Sequence, residues 1–336
     1  MTEPSIVIAG LVLVLGAWLS VLRTVFTPQE RASLMARFTA RAVGAVMLCL
    51  ARWVREPGRE YLLCYATPLM LFAAGIVWFV ADAVGFALLG RGISRIPVNL
   101  GELTCPFVLC EPAQRGPGLS VAAGAWLSAA LLSTMLMFAA FVVHLARVAS
   151  AYSRRERLIS RLSAQATRTP DAEMMLGEYL AGGGRSNLGS MFGEWASWLA
   201  DVQSTHLACP ALIYSRSPNG VCWTGAAQIM LDCAALAQAC APSWVPPQTG
   251  SLLTVGVRCL PRVAARLGME LPAVPVSYQG REGRPFAGTL KKIRAAGLPM
   301  EVDDERAQSA FQQLRVQYAP FANAICERLL FEYRDP

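Results

Sequence analysis

The sequence predicts an all-α protein, with a three-span helical membrane domain followed by a helical cytoplasmic domain. Hydrophobic residues make up 54% of the 336 and charged ones only 16%, with a mean hydropathy of +0.39. A wholly water-soluble chain does not carry that excess. It is concentrated before about Val148, whereas residues 154–336 have the Arg, Glu, Asp, Gln and Leu mixture of a globular domain. In that second part Leu and Ala recur at helical spacing, and no stretch alternates as a strand would.

The first apolar run, residues 6–25, carries one charge, Arg23, and is long enough to cross a hydrocarbon core of about 30 Å. Glu3 precedes it and Arg23, Arg31, Arg37 and Arg41 follow it. This is the reverse of a signal peptide's charge order, and it puts the N-terminus outside. Residues 37–55 are apolar at their centre and bracketed by Arg. They read as an amphipathic helix at the cytoplasmic surface, with a short re-entrant or fourth spanning helix as the alternative. The second span, residues 61–89, has Asp82 as its sole charge and is long enough to tilt.

Residues 90–118 form an outside loop punctuated by Pro and Gly. The third span, residues 119–148, ends in His144 and Arg147 and runs into Arg154, Arg155, Arg157 and Arg161. Three crossings then place both Arg-rich segments inside, in a multi-pass protein of the cytoplasmic membrane. The resulting domains are residues 1–57 (first span and surface helix), 58–150 (helix, outside loop, helix) and 151–336 (cytoplasmic helical domain). In the last, helices are expected over residues 191–204, 222–238, 251–267, 288–296 and 307–331, separated by prolines. Gly182, Gly183 and Gly184 are expected to form a flexible break.

The net charge of +7 lies beside the hydrophobic runs rather than in an aromatic-interleaved patch, so nucleic acid is not an expected partner. The bilayer is. Ten cysteines show no CxxC or Cys/His spacing, so no metal or other cofactor is expected. Eight of them read as small buried hydrophobes in reduced surroundings. Cys105 and Cys110, in the outside loop, either close a small disulfide or remain free thiols.

Several segments, VLRTVFTPQERASLMARFTARAV, YSRRERLISRLSAQA, EWASWLADVQSTHLACPALIYSRSPNGVCWTGAAQIMLDCAAL and LRVQYAPFANAICERL, follow one another in order. They resemble a bacterial two-transmembrane, two-pore-domain potassium-channel family. Arg154, Arg155, Glu194, Trp195, Trp198, His206, Pro210, Arg216, Ser217, Trp223, Asp232, Arg315 and Tyr318 carry the match. The resemblance implies a channel-like pore subunit, a homo-oligomer that is a tetramer if channel-like, and a monovalent cation as the conducted species. The chain departs from the family at the filter: residues 90–118 contain no TVGYG-like run, whose carbonyls would replace the ion's hydration shell.

Asp82 is either a pore-facing or pairing acid or an anchor near the interface. Glu102 and Glu111 are either acidic rings at a cation entrance or solvated loop carboxylates. His144 either faces a pore or packs. His206 reads as a structural hydrogen-bonding residue, because no strained nucleophile turn accompanies it. Paired acids and an activated nucleophile are missing from the pattern, so an enzyme is not expected. The two functions left are the channel-like oligomer and a non-conducting membrane scaffold or sensor.

Overall fold

The computed structural model describes residues 4–26, 33–55, 57–94, 121–165, 171–217, 221–269 and 285–331. All regular structure among them is helical, so the chain is all-α. It divides into two compact units, Met1–Ser150 with Ala208–Ala211, and Ala151–Leu207 with Leu212–Pro336.

The first unit holds α1 (Pro4–Val25), α2 (Leu34–Ala51), α3 (Gly58–Cys64), α4 (Ala66–Ser94) and the first part of α5 (Val121–Gln165). α1 and α4 are antiparallel and very close. A Cβ on Gly10 would sit 2.8 Å from the Gly85 carbonyl oxygen, while near the other end of the contact the Trp78 indole N–H donates to Ser20 Oγ at 2.9 Å. Such small-residue crossings let backbones approach where lipid supplies no hydrophobic drive between helices. α5 runs parallel to α1, since Trp18 bonds Ser133 and the Arg147 guanidinium bonds the Val25 carbonyl. The 61–89 run is broken at Tyr65, between α3 and α4. Pro68 explains the break, because it has no N–H to donate to the carbonyl of Cys64.

Among the described residues, four helical segments are long and apolar enough to cross a membrane: Pro4–Val25, Leu34–Ala51, Gly58–Gly92 and Ala125–Ala164. α2, expected at the surface, thus qualifies by length and composition. Ser33 caps its start by accepting the Ala36 N–H at 3.2 Å. Its buried stripe, Thr39, Ala40, Gly44, Met47 and Ala51, recurs at helical spacing, and the helix packs on α4. The faces left open are apolar, with Ile8, Val12, Ile76 and Leu132 each about 60% exposed.

The second unit holds the end of α5, all but the last residue of α6 (Ala172–Ala208), the last three residues of a 3₁₀ turn (Pro210–Tyr214), α7 (Trp223–Cys240), α8 (Gln248–Arg266), α9 (Phe286–Ala295), α10 (Asp304–Arg315) and α11 (Ala319–Arg328). Asp171 and Asp303 start α6 and α10 by accepting the N–H groups of Met174 and Arg306. α7 is the central helix: 15 of its 18 residues are buried, and α8, α10 and α11 pack on it. Its alanines permit that approach on every side. One core joins Leu176, Phe192, Leu231, Leu260, Ile293 and Ile325. The expected break at Gly182–Gly184 is not a break, since α6 continues through it with only Gly184 taking a left-handed φ of 62°. Glycine adopts that conformation at little steric cost, so the turns on either side hold the helix together.

Candidate functional site

In the first unit several polar side chains of the apolar helices bond one another. Asp82 on α4 is 1% exposed. Its Oδ1 accepts from Ser133 Oγ on α5 at 3.0 Å, and Ser133 in turn accepts the Trp18 indole N–H from α1 at 2.9 Å. A second chain links Trp78 to Ser20, Ser20 to Ser33 (2.8 Å), and Thr24 to Ser33 (3.1 Å). His144, 6% exposed, meets Trp78 edge-on with ring centroids 6.0 Å apart. Within one chain, Asp82 and His144 therefore face other helices. Glu102, Glu111, Cys105 and Cys110 lie outside the described residues.

In the second unit the residues that carried the resemblance converge. Arg155, 1% exposed, is the hub. Its guanidinium donates to Glu156 Oε1 (2.6 Å), Ser215 Oγ (2.9 Å), the Leu212 carbonyl (3.1 Å) and the Ser215 carbonyl (3.2 Å), and it lies 3.3 Å from His206 Nε2. Ser217 closes the set by donating to Glu156 Oε2 at 2.5 Å. The end of α5 thereby reads the backbone of the turn that begins at Pro210. Trp198 donates to the Arg155 carbonyl at 3.0 Å and stands edge-on to Trp195, centroids 4.9 Å apart.

Burial, and then the Arg155 charge, hold the His206 imidazole well below its ordinary value of 6.5. A neutral ring fits its neighbours: Nδ1–H donates to Thr205 Oγ1 at 3.1 Å, leaving Nε2 to accept from Arg155. His206 also lies against Trp223, with centroids 5.1 Å apart.

Asp232 on α7 takes the Arg315 Nε–H between its two oxygens (3.0 and 3.1 Å) and the Tyr318 hydroxyl at 2.6 Å. Arg315 is 0% exposed, so this pair is fully enclosed. Arg216 stacks its guanidinium 4.1 Å from the Phe331 ring centroid and donates to the carbonyls of Leu329 and Leu330, satisfying the end of α11. Glu194 and Arg154 stand apart from the others in exposed ion pairs, Glu194 with Arg161 at 2.8 Å and Arg154 with Asp201 at 3.1 Å.

The eight cysteines read as buried hydrophobes divide differently. Cys233, Cys240, Cys259 and Cys326 are buried, Cys209 and Cys222 are partly so, and Cys49 and Cys64 are exposed on apolar helices. No sequence pattern signalled that Glu156 and Ser215 would meet Arg155, because adjacency to a basic run reads as a solvated face. Comparison with known proteins adds no relative: no family model, curated protein or solved structure matches the chain. Geometry and chemistry alone carry the functional reading.

Proposed function

We propose that the chain is a multi-pass protein of the cytoplasmic membrane whose three crossing helices, α1, α4 and α5, anchor a cytoplasmic helical domain acting as a sensor or scaffold. The observation that carries this reading is the first unit's construction: Asp82 Oδ1, Ser133 and Trp18 are linked by hydrogen bonds inside it, and its outer faces are apolar. Such a bundle is suited to lipid and spends its polar groups on holding helices together.

The direction of α4 supports three crossings. α4 runs antiparallel to α1, so it begins on the side where α1 ends. α2 and α3 then give no net crossing, and α2 lies against the bundle from the cytoplasmic side. Charge supports the same topology. Arg23, Arg31, Arg37, Arg41, Arg52, Arg55 and Arg59 all fall inside, against Arg91, Arg95 and Arg115 outside. A cysteine placed by Arg31→Cys, in a background with the native cysteines replaced, should be shielded from an impermeant maleimide in intact cells, and one placed by Arg115→Cys should label. Labelling at position 31 would reverse the orientation of α1, whereas labelling of a cysteine placed by Arg55→Cys with position 31 still shielded would put α2 across the membrane.

A second reading, a channel-like subunit, is favoured by the helix, intervening segment and helix of α4, residues 95–120 and α5, with α5 continuing for 45 residues. In it, four copies surround an axis and conduct a monovalent cation without a TVGYG-like filter. Conductance in planar bilayers, with oligomer mass measured on the same sample, separates the two. Selective current from a tetramer selects the channel. A folded, silent preparation that is not tetrameric selects the sensor or scaffold.

A further inference from the structure

Two cysteines separated by 104 positions meet in the second unit, their sulfurs 3.5 Å apart. Cys222 is the N-cap of α7, and its Sγ accepts the Gly225 N–H at 3.2 Å. Thr224 Oγ1 lies 3.3 Å from Cys222 Sγ and 2.8 Å from Cys326 Sγ. One sulfur thus sits at the positive end of a helix, ringed by an amide N–H, a hydroxyl and a thiol that can all donate to it. That environment stabilises a thiolate, the reactive form of cysteine.

The charge asymmetry within the pair follows. The hydrogen bond from Cys326, with smaller help from Thr224, Gly225 and the Arg216 charge, holds the Cys222 thiol below the usual range against the cost of burial. The same hydrogen bond, together with burial, holds Cys326 above it. Cys240 and Cys259 lack such donors, and burial pushes them up to about 11 and about 12. As a residue Cys222 is partly exposed, while Cys326 is 3% exposed.

We propose that Cys222 and Cys326 form a peroxide-responsive dithiol, with Cys222 as the attacking sulfur and Cys326 as the resolving one. The Cys222 thiolate attacks one oxygen of a hydroperoxide; the O–O bond breaks, and the leaving hydroxide or alkoxide takes a proton to become water or an alcohol. Cys222 is left as a sulfenic acid. The Cys326 sulfur then attacks the Cys222 sulfur, the S–O bond breaks, and the departing hydroxide leaves as water with the Cys326 thiol proton. The two thiols supply the two electrons that reduce the peroxide. Closing the bond requires the sulfurs to move from 3.5 Å to about 2.05 Å and Thr224 to give up its Cys326 contact. The product ties the start of α7 to α11, and a thiol reductant reverses it.

This inference holds for either membrane reading, because both thiols belong to one unit. The test treats the full-length protein in lipid nanodiscs with hydrogen peroxide and maps cysteine peptides by mass spectrometry after alkylation. A Cys222–Cys326 linked peptide should form in preference to any other pair and disappear with dithiothreitol. In Cys326→Ser, a sulfenic-acid probe should mark Cys222 roughly tenfold more than Cys240 or Cys259. The proposal is overturned if both thiols of the folded wild-type protein remain alkylatable after peroxide, or if Cys222 labels no more than those two buried cysteines. The wild-type map decides the matter even where a variant does not fold.

Discussion

The two units solve the same problem, packing α-helices, in opposite solvents. In the first, Ala17, Val21, Trp78, Met137 and Phe141 make a small core, and large hydrophobic side chains also cover the outside. In the second, among the described residues, no large hydrophobic side chain is exposed, and Arg155, Asp232 and Arg315 are buried. Water drives the second unit's core together. Lipid gives no such drive, so the first unit depends on close backbone approach at Gly10 and Gly85 and on bonds such as Ser133 to Asp82. A polar side chain inside a helical bundle therefore means different things in the two places.

Arg315→Ala should produce the largest effect, a loss of about 3–5 kcal/mol, because Asp232 would be left charged and enclosed. Urea unfolding of the second unit in the full-length protein in detergent reads it. Replacing both partners with apolar residues should recover most of the loss, and a double variant as unstable as the single would show that the pair does more than neutralise itself.

Next comes Gly10→Ala. The added Cβ would meet the Gly85 carbonyl oxygen at 2.8 Å, and overpacking of this kind costs about 1–3 kcal/mol. Dissociation of the bundle in a denaturing detergent series measures it. An unchanged midpoint would mean that α1 and α4 are not held by close approach.

His206 supplies a pH test confined to the second unit. Its folded pKa lies below its unfolded value near 6.5, so its contribution is complete above that pH. Below it the unfolded state binds a proton that the folded state refuses, and stability falls by up to about 1.4 kcal/mol per pH unit until the folded pKa is reached. His206→Gln should remove this part of the slope between pH 6.5 and 5. An unaltered slope would assign acid sensitivity to other groups.

The smallest effect belongs to Ser133→Ala, which removes the Asp82 bond in the first unit at about 0.6 kcal/mol and no more than about 1.7 kcal/mol. Were it to match Arg315→Ala, polar bonds in the two solvents would be equally costly to break, and the contrast between the units would fail.

Much of the helical framework was legible from composition and period. The 222–238 and 251–267 runs became α7 and α8 nearly as read, because alanine and leucine spacing signals helix in either solvent. The break at Tyr65 was missed although Pro68 was visible, since an apolar run of that length reads as one span. The continuity of α6 was missed because three glycines usually interrupt a helix, whereas here the flanking turns carry it. Of the candidate site, single residues such as Arg155, His206 and Asp232 stood in the quoted segments. Apart from the adjacent Glu156 and Thr205, their partners lay 51 to 86 positions away, and no local pattern joins residues at that distance.

By itself the sequence determined the helical class and the division between a lipid-suited and a water-suited half, because hydrophobic content and helical period are properties of neighbouring residues. Only the tertiary structure decided which charges are buried and paired, that α1 and α4 touch through glycine, and that Cys222 meets Cys326. Those outcomes depend on which helix faces come together across long separations, and that is settled by shape and by the pairing of most buried polar groups.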